Sequence, residues 1–137
     1  MRKESLITIL LHSLIVIGFG HGLGFLIFFD ILSIPNFLKN GIQVDFELSY
    51  MDRLMNVGFI SIIGKLILIL GLFQKATISK MIFNIIGIIL LLFAVIYLTY
   101  GNWYYENLHA FSFLFSIPFL IYSVSFFKKV IAQLNSI

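Results

Sequence analysis

Residues 54–75 read LMNVGFISIIGKLILILGLFQK, and this stretch decides the fold class. It is a nearly unbroken apolar run of about twenty residues, long enough at roughly 1.5 Å per residue to cross a bilayer as a helix. Lys65 stands close to its midpoint. An ammonium at that depth is costly, so such a residue marks a functional site by default. At about 100° per residue, Gly58, Ser61 and Lys65 share one narrow stripe. Small and polar residues on one stripe face neighbouring helices rather than lipid.

The rest of the chain has the same character. Of 137 residues, 61% are hydrophobic and 11% charged, with a mean hydropathy of +1.08. Soluble domains carry about 25% charged residues, so the composition predicts a single integral membrane domain. There is no cysteine, which excludes disulfides, thiolate chemistry and Cys-ligated metals. The net charge of +3 comes from basic residues that mostly flank apolar segments, and no basic run interleaves with aromatics. That pattern argues against nucleic acid as a partner.

Three further apolar runs complete a predicted all-α bundle of four transmembrane helices, with spans at about 6–29, 54–73, 81–100 and 108–127. The first run is too long for a signal-peptide core and lacks a small-x-small cleavage site. It contains GFGHGLGF, with Gly18, Gly20, Gly22 and Gly24 around His21. Gly18/Gly22 and Gly20/Gly24 are GxxxG pairs, which let a second helix approach closely. A hinge or an unwound turn that exposes carbonyls to a ligand is the alternative. In the third run Asn84, Gly87, Leu91 and Ala94 form a small-residue face, and in the fourth His109, Ser112, Ser116 and Ser123 share an arc. Pro118 should kink that last helix. The loop GNWYYEN at 101–107 supplies an aromatic belt.

Residues 30–53 form the predicted outer loop. Pro35, Asn36, Asn40 and Gly41 are turn formers, and 42–50 alternate apolar with polar. Alternation implies an extended segment, with 31–38 either its hairpin partner or a surface helical turn. One set of short connections holds Arg2, Lys3, Lys75, Lys80, Lys128 and Lys129, the other only Lys39 and Arg53. Both termini are therefore expected on the cytoplasmic side.

Counting depth along each span puts His21, Ser61, Lys65, Tyr97, His109, Ser112 and Ser116 in the outer half. There they would line one cleft open to the outside, with Lys65 near its floor. By the same count Asp30, Asp52 and Glu106 lie on the order of 10–15 Å above Lys65. Lys65 is then expected to lack a carboxylate of its own chain. It would deprotonate, meet an anionic ligand or lipid, take an acid from another subunit, or rest on water, Ser61 and backbone carbonyls.

Specific chemistries fare poorly. His12 and His21 fall on opposite helix faces, and His21 and His109 differ in depth by about 9 Å, which argues against haem. Three scattered histidines without cysteine give no metal site. Ser112 or Ser116 with His109 or Lys65 is a conceivable nucleophile and base, but serine in a membrane helix usually bonds its own carbonyls, so no catalytic residue is assigned. The glycine cluster lacks the strand and the Lys-Ser/Thr of a phosphate loop. A transporter would need a homo-oligomer, because the inner half offers only His12 and Asn84.

In layout the chain resembles the DoxX-like group of small four-helix bacterial membrane proteins. The likeness rests on a glycine-bearing first span, a long outer loop, a second span running from Gly64-Lys65-Leu66 to Gly71-Leu72, and two further spans. Where that group tends to carry an acidic residue in the second span, this chain has Lys65. The resemblance implies a bacterial inner-membrane component linked to redox or quinone-associated complexes. The expected function is a non-catalytic subunit or accessory component of a larger membrane complex, with membrane lipids and other subunits as partners. The alternatives are a binder, carrier or enzyme for a lipophilic or anionic small molecule such as a lipid or quinone, and a small oligomeric transporter.

Overall fold

The alternating glycines at 18, 20, 22 and 24 repeat at the period of a strand, and the chain follows that period. The computed structural model describes residues Met1–Ile137. Helix α1, Arg2–Ser13, gives way to β1, Val16–Phe19, and β2, Gly22–Phe25, before α2, Leu26–Asn40. The strands pair antiparallel in the register Val16↔Phe25, Ile17↔Gly24, Gly18↔Leu23 and Phe19↔Gly22. Three of these pairs set a glycine opposite a large side chain, and the Phe19 ring lies where a side chain on Gly24 would go. Gly20 opens the two-residue turn with φ 53°, while His21 keeps a negative φ. Glycine with positive φ at the first turn position is the signature of a type II′ hairpin.

The single helix expected over 6–29 is therefore replaced by helix, hairpin and helix. The physical reason is local. Four glycines at alternate positions weaken a helix at every turn, while the hairpin pairs the facing backbone groups of its two strands and buries Ile15 and Ile17. The GxxxG faces expected of Gly18, Gly20, Gly22 and Gly24 do not form. His21 is exposed at the hairpin turn.

Three long helices follow: α3, Tyr50–Phe73; α4, Thr77–Thr99; and α5, Leu108–Asn135. All three are long and apolar enough to cross a membrane. They start and end within a few residues of the expected spans, except that α5 runs on past Lys129 and continues unbroken through Pro118. The most extensive packing is α3 on α4, where Gly64 receives Leu91 and Gly87 receives Leu68 and the Gly64 carbonyl. Gly58 does the same for α2: a Cβ there would overlap the Phe29 carbonyl.

Helices α1 and α2 are amphipathic in the inverted sense. On α1 the buried residues are Ser5, Thr8, His12 and Ser13, while Leu6, Leu10 and Leu14 are exposed. On α2 Asp30 and Ser33 are buried beside Leu26 and Phe29, while Ile27, Phe28, Ile31 and Leu38 face outward. Apolar outside and polar inside is the pattern of a protein solvated by lipid.

Contacts at the two ends fix how the N-terminal arm lies. Ser5 donates to the Asn84 side chain of α4 at 2.8 Å, and Glu4 pairs with Lys129 of α5. Gly18 packs on Leu108, the first residue of α5. The arm from α1 through β1 thus runs from the end where α4 starts and α5 finishes to the end where α5 starts. Residues 41–49 form no strand. They run across the end where α3 starts and α4 finishes, held by Arg53, Asn56 and Tyr97, and 31–38 belong to α2.

Candidate functional site

The hairpin resets the depth of everything after it. The Leu26 amide donates to the Ile15 carbonyl at 2.9 Å, so the chain returns to the level of Ile15 before α2 begins. Asp30, one turn further on, is thereby placed inside the bundle and not at the outer interface. Gly58 lets the α2 backbone sit against α3 at that level. The result is an ion pair between the Lys65 ammonium and Asp30 Oδ2, with both side chains over nine-tenths buried. Lys65 has an acid of its own chain, contrary to the expectation that it would lack one. Counting 1.5 Å per residue failed here because residues 16–25 go out and come back.

Two more polar residues join the pair. Ser61 lies one turn before Lys65 on the same face of α3, and His12 of α1 lies within electrostatic reach of Lys65. His12 is fully buried and meets the Phe119 ring edge-on at 4.8 Å between centroids. The Leu91 backbone comes near its ring without reaching hydrogen-bonding geometry. Every buried side-chain nitrogen or oxygen that lacks a hydrogen-bond partner belongs to this group: both ring nitrogens of His12, Asp30 Oδ1 and Ser61 Oγ. Buried polar atoms are nearly always paired, and each exception calls for an explanation. Here the exceptions collect where α1, α2 and α3 meet.

The remaining residues of the expected cleft lie elsewhere. His109 and Ser112 form a second cluster, under the α4–α5 loop. The Tyr50 hydroxyl meets Ser112 Oγ at 2.5 Å, and its ring meets His109 edge-on at 5.2 Å. His109 Nδ1 lies 2.8 Å from the Leu98 carbonyl, so that nitrogen carries the proton. Nε2 is 3.3 Å from Glu106 Oε2. Ser116 turns to the Phe113 carbonyl at 2.7 Å, the self-satisfying bond usual for serine in a membrane helix. Tyr97 is buried, and its hydroxyl donates to the Asp45 carbonyl at 3.0 Å. The expected single cleft is thus divided. Ser61 and Lys65 stay together, His109 and Ser112 form another group, Ser116 and Tyr97 satisfy local backbone, and His21 is outside.

Arg53 organises the mouth. Its guanidinium is buried and donates to four carbonyls: Leu48 at 2.8 Å, Tyr97 at 3.0 Å, Phe46 and Tyr100. Tyr97 lies in the last turn of α4 and Tyr100 caps it, and the free carbonyls and dipole of that end favour a cation. Asn56 adds a bond to the Gln43 carbonyl at 2.7 Å. Between this pinned loop and the α4–α5 loop is an open depression of about 800 Å³, lined by Glu47, Arg53, Trp103, Tyr104, Glu106 and His109 among others.

Sequence reasoning missed His12, Asp30, Tyr50 and Arg53. The glycine alternation was the available signal for the first two, since a hairpin at 16–25 moves Asp30 inward and leaves His12 at the top of a short helix. No group of histidine, cysteine, aspartate and glutamate has metal-site geometry. Comparison with family models, curated proteins and solved structures returned no match to this chain.

Proposed function

We propose that this chain is a four-crossing integral membrane protein that binds a lipophilic small molecule, such as a lipid or a quinone, at the polar centre around Lys65. The N-terminal arm supplies the fourth crossing, and both termini face the cytoplasm, as the distribution of basic residues favours. One observation carries the binding reading: His12, Asp30 and Ser61 hold unpartnered buried polar atoms, and Asp30 and Ser61 both neighbour the buried Lys65 ammonium. Intramembrane ionisable groups that face the bundle interior mark ligand or substrate sites. Native mass spectrometry after purification in gentle detergent tests it. A bound lipophile lost on Ser61→Ala supports the reading, and a chain that is bare in every preparation overturns it.

A second reading is a non-catalytic accessory subunit of a larger membrane complex. The outward face of α2, with Phe28, Ile31 and Leu38 exposed, favours it as a surface for a neighbouring helix. The same spectra separate the two, since a co-purifying chain in place of a small molecule selects the subunit. The internal Asp30–Lys65 pair removes the need for an acid from that partner.

A further inference from the structure

The chemistry of the centre restricts what its ligand can be, given that it binds one. Charge is the first restriction. Asp30 and Lys65 neutralise each other, and the further titratable group of the centre is His12, buried on α1 against the Phe119 ring of α5. An anionic or cationic head would bring uncompensated charge into a buried, apolar site, which low-dielectric surroundings penalise heavily. The expectation of an anionic ligand rested on an unpaired Lys65, and Lys65 is paired.

Hydrogen bonding is the second restriction. Asp30 Oδ1 only accepts, Ser61 Oγ both donates and accepts, and a neutral imidazole offers one donor and one acceptor. A head that only accepts, such as a ketone or ester, leaves Asp30 Oδ1 unserved. A head that only donates leaves the imidazole N–H and the Ser61 hydroxyl proton without an acceptor. A hydroxyl does both. We propose that the centre is a site for the hydroxyl head of a neutral lipophilic alcohol, which donates to Asp30 Oδ1 and accepts from Ser61 or His12. Its apolar body lies between α1 and α2, which touch each other only briefly and leave Leu10, Ile27 and Ile31 exposed.

Three probes of equal chain length separate the cases: dodecanol, dodecanoate and dodecylammonium, each titrated into the purified full-length protein during thermal unfolding. Dodecanol is expected to raise Tm with concentration, and the charged probes are not. Ser61→Ala, a nearly isosteric change, should weaken the dodecanol effect about tenfold, the value of one hydrogen bond to the ligand. His12→Phe should weaken it similarly while keeping the edge-on contact with Phe119. Equal stabilisation by dodecanoate or dodecylammonium overturns the proposal, as does a dodecanol effect that survives both substitutions. If native spectra show a bound lipophile with a different head, the hydroxyl assignment fails and the wider binding reading stands. A protein bare in both assays removes both.

Discussion

At the scale of single residues, the Asp30–Lys65 pair dominates. Two buried charges attract strongly but each has lost its hydration, so the pair contributes less than its geometry suggests, while either charge alone is severely destabilising. Lys65→Met or Asp30→Asn is expected to cost about 3–5 kcal/mol, and Asp30→Leu with Lys65→Met to recover most of that loss. Equilibrium unfolding in mixed micelles, followed by circular dichroism, measures all three. If the double variant is as unstable as the worse single one, the pair is not the coupled unit the structure shows. Lys65 was legible in the sequence as the residue to explain. Asp30 was not, because its position depends on ten preceding residues taking a strand turn instead of a helix.

At the scale of elements, the three long helices were legible and the N-terminal arm was not. Apolar runs of about twenty residues have one stable solution in a bilayer, so α3, α4 and α5 follow from composition. The run at 6–29 has the same hydrophobicity but carries its glycines at period two, and the GxxxG pattern they also satisfy concealed the strand signal. The loop at 41–49 illustrates the converse failure. Its apolar and polar residues alternate, yet Arg53, Asn56 and Tyr97 hold its carbonyls one by one, which leaves no ladder to form. Arg53→Met removes two of those bonds, to Leu48 and Phe46, and strands the Tyr97 and Tyr100 carbonyls. It is expected to release residues 41–49, seen as faster amide hydrogen exchange across that segment with α3 and α4 protection unchanged. Loss of protection throughout would instead show that Arg53 holds the whole bundle.

At the scale of the molecule, the arm is clasped to the bundle at its starting end. Glu4 takes the Lys129 ammonium and the N-terminal ammonium, Lys129 foremost, and together they lower its carboxyl from the usual 4.5 to about 2. Because the folded value lies below the unfolded one, the clasp is intact above about pH 4.5 and is lost as pH falls through about 2. Carboxyl chemical shifts of Glu4 followed by NMR should show that depressed midpoint, and Lys129→Gln should move it back toward 4.5. A Glu4 that titrates normally in the wild-type chain would mean the two ends are not held together. The candidate site belongs to this scale as well: its four residues come from three elements, and only Ser61 and Lys65 share a helix, so no local motif announced it.

The Asp30–Lys65 pair also bears on how the chain enters the bilayer during synthesis. Asp30 leaves the ribosome 35 residues ahead of Lys65. A long helix with an ammonium at its centre partitions poorly on its own. The order of the chain, acid before base, thus puts the partner of that ammonium in the segment made before α3.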